Sequence, residues 1–120
     1  MQDPCEAREV LGIVGDKWAL LVVRMLKDGP RRFTELKRAI DGISQRMLTV
    51  TLRDLERDGI LTRTVRNVMP PHVSYELTTM GRTLREATAP LLDWSITHLP
   101  EIDAARVTYD RRQRAASEEQ

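Results

Sequence analysis

Gly42-Ile43-Ser44-Gln45-Arg46-Met47-Leu48-Thr49-Val50-Thr51-Leu52-Arg53-Asp54-Leu55-Glu56-Arg57-Asp58-Gly59 decides the fold of this chain. It reads as a turn followed by a helix with one oily face and one arginine face. Met47, Leu48, Thr51, Leu52 and Leu55 recur with the period of about 3.6 residues that a helix requires. Arg46, Thr49, Val50, Arg53 and Arg57 form a stripe on the other side. Arg53 and Arg57 stand four apart and repel, which costs an isolated helix about 0.2–0.5 kcal/mol. Asp54 and Glu56 offset part of that cost. Such a stripe gains most when an external polyanion lies along it; without one it is a solvated helix face.

The charge distribution favours the polyanion. The net charge of the 120 residues is only +1. From Arg24 to Arg66, however, 11 Lys/Arg face 6 Asp/Glu, while the remainder holds 8 Lys/Arg against 12 Asp/Glu. A basic middle between acidic flanks suits a nucleic-acid module with separate packing helices. Hydrophobic residues at 41% allow a modest core, and aromatics at 4% leave it mainly aliphatic. The start of the chain lacks a secretory leader's basic and apolar regions, and no apolar run is long enough to cross a bilayer. The single cysteine cannot form an internal disulfide. A cytoplasmic, nucleoid-associated protein is the expectation.

Working outward, residues 5–14 form a short helix that Asp3 can cap with Pro4 at its first position. Gly15-Asp16 breaks it. Residues 17–28 are apolar nearly all round and predict a buried central helix ended by Gly29-Pro30. Residues 33–40 give a third helix with Phe33, Leu36, Ala39 and Ile40 inward. Ser44 is the N-cap of the striped helix, which Gly59 ends. Ile60–Arg66 and Val73–Leu77 then alternate as strands, joined by a loop with Pro70 and Pro71, so a β-hairpin is expected. Thr78 or Thr79 caps a long helix reaching about Leu99, which Pro90 kinks or divides and Pro100 ends. Residues 101–110 can add one more helix, and residues 111–120 read as a flexible polar tail.

The order of elements describes a mainly α fold with a small β-hairpin. It is a winged helix-turn-helix over residues 1–110 with N- and C-terminal dimerisation helices. In that fold the second helix of the turn enters the major groove and the wing lies over the backbone or minor groove.

At this point the chain resembles the HxlR-type bacterial transcriptional regulators, a winged-helix group related to the MarR type. The resemblance rests on Cys5 ahead of Gly15-Asp16-Lys17-Trp18, on Leu26–Leu36, on Gly42–Thr49 and Leu52–Gly59, and on Pro70–Thr78. It covers about residues 5–97. Two departures stand out: Glu6 follows the cysteine where the family usually has proline, and Gly15-Asp16 stands where Gly-Gly is common. The resemblance implies a homodimer built from the first and last helices, palindromic operator DNA as partner, and often a response to electrophiles or oxidants. Repression is the commoner mode implied.

The residues themselves suggest roles. Ser44 and Gln45 open the recognition helix and can touch phosphate or a base edge. Arg46 and Thr49 are the base readers expected, Val50 can pack on a thymine methyl, and Arg53 and Arg57 are placed for phosphates. Arg57 has pairing with Asp54 as its alternative. Arg31 and Arg32 precede the third helix near its positive end. Arg66, Asn67 and His72 are the wing candidates, with ordinary loop polarity as the other reading.

Cys5 sits at a helix start, where the dipole favours thiolate. It is either a redox or electrophile switch or a half-buried small hydrophobe. Without a resolving cysteine, any disulfide would be intermolecular. Val10, Leu11, Val14, Leu91, Leu92, Ile96 and Leu99 carry more apolar surface than a small wing can cover, and are the dimer candidates beside packing within the chain. Trp18, Trp94, Tyr75 and Phe33 either line an effector pocket or pack the core. No cofactor is expected, and His72, His98 and Cys5 are too scattered for a metal site. No paired-carboxylate, nucleophile–base or Gly-rich phosphate signature suggests an enzyme. A winged-helix module that binds protein rather than DNA remains the alternative function.

Overall fold

A computed structural model describes residues 7–119. The elements run α1 (Arg8–Gly15), α2 (Lys17–Met25), β1 (Arg31–Arg32), α3 (Phe33–Ala39), α4 (Gln45–Arg57), β2 (Leu61–Arg66), β3 (His72–Leu77) and α5 (Thr79–Glu118). The chain divides into two compact units between Thr88 and Ala89, beside Pro90.

In the first unit, local chemistry sets each boundary. Asp16 closes α1 and opens α2. Its N–H donates to the Ile13 carbonyl, and its carboxylate accepts from the Trp18 and Ala19 amides at 2.9 and 3.2 Å. Ser44 caps α4, its hydroxyl accepting from the Met47 N–H at 3.0 Å. Gly42 and Gly59 take positive φ values of 83° and 76° at the two ends of that helix, where a Cβ would be strained.

The core gathers α2, α3, α4 and the root of the sheet. Val22, Val23, Leu26, Leu36, Leu48, Leu52 and Leu61 are its fully buried large side chains. Phe33, Tyr75 and Trp18 are half-buried against it. Each fully buried leucine contributes about 1.5–3 kcal/mol, so the oily face of α4 fixes which face is left outside.

The sheet has three antiparallel strands in the order β1-β3-β2. Six cross-strand pairs join β2 to β3, from Leu61–Leu77 to Arg66–His72. The third strand was not anticipated: Arg31 and Arg32 pair with Tyr75 and Ser74. Two residues have too little alternation to signal a strand, and the free edge of β3 supplies their partner.

Other expectations are corrected. Met47, placed on the oily face, is 40% exposed, and Ala39 of α3 points to solvent. Both lie at the margin of their helix's apolar arc. The last helix does not stop at Pro100, and residues 111–118 are its final turns rather than a tail. Each proline removes only one amide donor and clashes with one carbonyl. The Ala-, Glu- and Arg-rich segment beyond Pro100 has high helix propensity. The i,i+3 pair Asp103–Arg106 at 3.7 Å adds a small gain.

The second unit, Ala89–Gln120, is described by its helix alone. Leu91, Trp94, Ile96, Leu99, Val107 and Tyr109 are exposed on it. Trp94 and His98 stack one turn apart with ring centres 4.5 Å from each other.

Candidate nucleic-acid interface

The outer face of α4 is the site the fold displays. Gln45, Arg46, Thr49, Val50 and Arg53 line one open concavity along it. All five are exposed, directly behind the buried Leu48, Leu52 and Leu55. Thr49 donates its hydroxyl proton to the Gln45 carbonyl at 2.8 Å, which leaves its methyl and an oxygen lone pair for a ligand. Arg46, Arg53 and Arg57 have no ion pair among the described residues. The pairing of Arg57 with Asp54 considered from the sequence is therefore not formed.

A second concavity of about 360 Å³ joins α4 to the sheet. Phe33, Leu52 and Tyr75 give it an apolar floor, and Arg53, Arg63, Glu56 and Thr49 rim it. Arg63 stands cross-strand from Tyr75. It shares the face of β2 that carries the buried Leu61, and it forms no ion pair among the described residues. Sequence reading passed over Arg63, although period-two counting from Leu61 would have placed it beside α4.

The other cations are disposed differently. Arg31 forms a 3.5 Å pair with Glu35, and the Glu35 carboxylate also accepts from the Arg32 N–H at 3.2 Å. The positive start of α3 therefore already has an anion beside it. Arg66 and His72 form the last cross-strand pair, at the opposite end of the ladder from Leu61–Leu77. They line neither concavity.

Cys5 lies outside the described residues, as do the proposed Asp3 cap and Pro4. Nothing is described of the Val10 and Val14 side chains. Leu11 is 58% exposed on α1. Leu91, Ile96 and Leu99 are exposed on α5, and Leu92 is half-buried. Among the described residues, no group of three or more His, Cys, Asp or Glu could hold a metal ion. Among them too, no helix is long and apolar enough to cross a membrane.

Comparison with known proteins gives the same picture. The sequence model of the HxlR-like helix-turn-helix matches residues 13–103. The HTH-type transcriptional regulator YtfH of Escherichia coli (strain K12) is 43% identical over 104 residues, covering 87% of this chain and 82% of that protein. Among solved structures, the transcriptional regulator ytfH from Salmonella typhimurium superposes with a TM-score of 0.76. It is 42% identical, covering 83% of this chain and 89% of that one. The redox regulator HypR in its oxidised form gives a TM-score of 0.72 at 40% identity, covering 78% and 96%. The chain is a winged-helix transcriptional regulator and belongs to the HxlR-like helix-turn-helix family.

Proposed function

We propose that the protein is a homodimeric repressor that binds palindromic operator DNA through α4, and that oxidation or alkylation of Cys5 alters its occupancy. The observation that carries the DNA reading is the uncovered guanidinium row of Arg46 and Arg53, backed by buried leucines. A helix held by its apolar face presents the opposite face rigidly, as groove reading demands. Arg46 and Thr49 read base edges; Arg53 and Arg63 converge on backbone phosphate from α4 and the sheet. Arg66 extends the cationic surface along the wing, with the His72 ring beside it.

The dimer follows from length and specificity. One helix reads too few bases for selectivity; a two-fold pair reads half-sites about 34–36 Å apart. The exposed Leu11, Leu91, Ile96 and Leu99, with Val10, Val14 and Leu92, are the residues assigned to it. The redox element draws support from the likeness to the redox regulator HypR.

The test is Arg46→Ala against an operator selected from a random duplex pool. Specific binding weakens by about 1–3 kcal/mol and preference relaxes at one position. Unchanged operator affinity would contradict the groove assignment. Binding to protein alone, with no duplex selected, would support the protein-interaction alternative.

A further inference from the structure

The β2–β3 hairpin ends in an apolar tip. Arg66 and His72 are its last ladder pair, so residues 67–71 make the turn and Met69 is the middle residue. Met69 is 96% exposed and its neighbour Val68 48%. Single exposed apolar side chains are ordinary. Charge, stiffness and reach set this one apart.

Residues 60–75 contain Arg63 and Arg66 and no Asp or Glu. Both arginines are exposed and form no ion pair among the described residues. Uncompensated positive charge along the hairpin suits a polyanion as the partner that covers its tip.

The turn is stiff. The rings of Pro70 and Pro71 fix two successive backbone torsions, and the Val68 N–H donates to the Arg66 carbonyl at 2.9 Å. A turn with few backbone states loses little freedom when it is seated.

Its reach matches a duplex. Arg63 rims the concavity beside α4. Arg66 lies farther along the same strand, about 10 Å on at the usual rise of a strand. The turn carries Met69 beyond that. Half of one duplex turn is about 17–18 Å. With α4 in the major groove, the tip therefore meets the adjoining minor groove.

We propose that Met69 is a wedge that enters this minor groove and partly unstacks one base step, and so selects for sequence there. The proposal rests on the operator reading of α4. Methionine is unbranched, pliable and apolar, and it is among the side chains that minor-groove proteins insert between base pairs. Pyrimidine–purine steps unstack most readily. A TA or CA/TG step is therefore preferred under Met69, through deformability and without a hydrogen bond to a base edge.

The test uses the intact protein and duplexes selected from a random pool. 2-Aminopurine, whose emission rises when stacking is lost, replaces each adenine of the flanking minor groove in turn. The parent raises emission at one step, half a turn from the bases that α4 reads, and its selected pool is enriched there in TA or CA/TG. Met69→Ala and Met69→Gln lose both effects and weaken operator binding about tenfold. They keep the preference at bases facing Arg46 and Thr49. Met69→Leu, also apolar, keeps the emission rise. The side chain is almost wholly exposed, so these substitutions leave the fold intact. A rise that survives in Met69→Gln, or a parent that binds its operator with no rise at any step, overturns the wedge and leaves the operator reading standing. A parent that selects no duplex overturns both.

Discussion

The Thr78 hydroxyl donates a 2.6 Å hydrogen bond to the Gly59 carbonyl and so ties the exit of α4 to the entry of α5. The same oxygen accepts from the Gly81 N–H at 3.0 Å, capping α5. The Thr78 N–H meanwhile donates to the Ile60 carbonyl at 3.0 Å. One threonine thereby fixes where α4 stops, where β2 begins and where the long helix starts.

This junction leaves no room at Gly81. A Cβ there would collide with the Ile60 carbonyl oxygen, which is backbone and cannot swing aside. Gly81→Ala should destabilise the fold by about 1–3 kcal/mol through overpacking. Thr78→Val should cost about 1–2 kcal/mol through the lost cap and tie. Denaturant unfolding of both variants checks this. Stability within 0.5 kcal/mol of the parent for Gly81→Ala, at about the scale of an ordinary surface change, would mean that the close approach is absent.

Redox control makes a separate claim on Cys5. Diamide or a quinone should release the parent protein from its operator, and Cys5→Ser should bind DNA but ignore the oxidant. Non-reducing electrophoresis should show a dimer-sized species only in the parent, because the chain has a single cysteine. Oxidant-driven release that persists in Cys5→Ser would place the sensor elsewhere.

Assembly is tested through Leu99, which is 51% exposed on α5. Sedimentation should give a dimer at micromolar concentration. Leu99→Asp should shift it toward monomer by burying an unpaired charge in the interface. A monomeric parent, or a variant that sediments identically, would remove Leu99 and its neighbours from the contact.

Much of this was legible in the residues. The spacing of Leu48, Leu52 and Leu55 fixed which side of α4 turns inward, because a helix has one period and one buried arc. Ser44, Gly42 and Gly59 marked its ends through side-chain capping and positive φ. What escaped reading depended on distant partners. Arg31 and Arg32 become a strand only because β3 offers an edge, and Arg63 matters only because β2 folds against α4. Helix α5 continues past Pro100, despite the lost donor and the clash with one carbonyl, because the segment beyond it has high helix propensity. Pairing of Arg31 with Glu35 is likewise set by side-chain reach, not by pattern.

The most direct test of the central claim is the salt dependence of binding to the selected operator, measured by fluorescence anisotropy for the parent and for Arg53→Ala. Counterion release predicts a steep linear fall of log affinity with log salt, with slope about −0.9 per phosphate contacted. Arg53→Ala should flatten that slope by about one contact while leaving base preference in place. A parent whose affinity ignores salt, or an Arg53→Ala slope equal to the parent's, would contradict the placing of this helix on DNA.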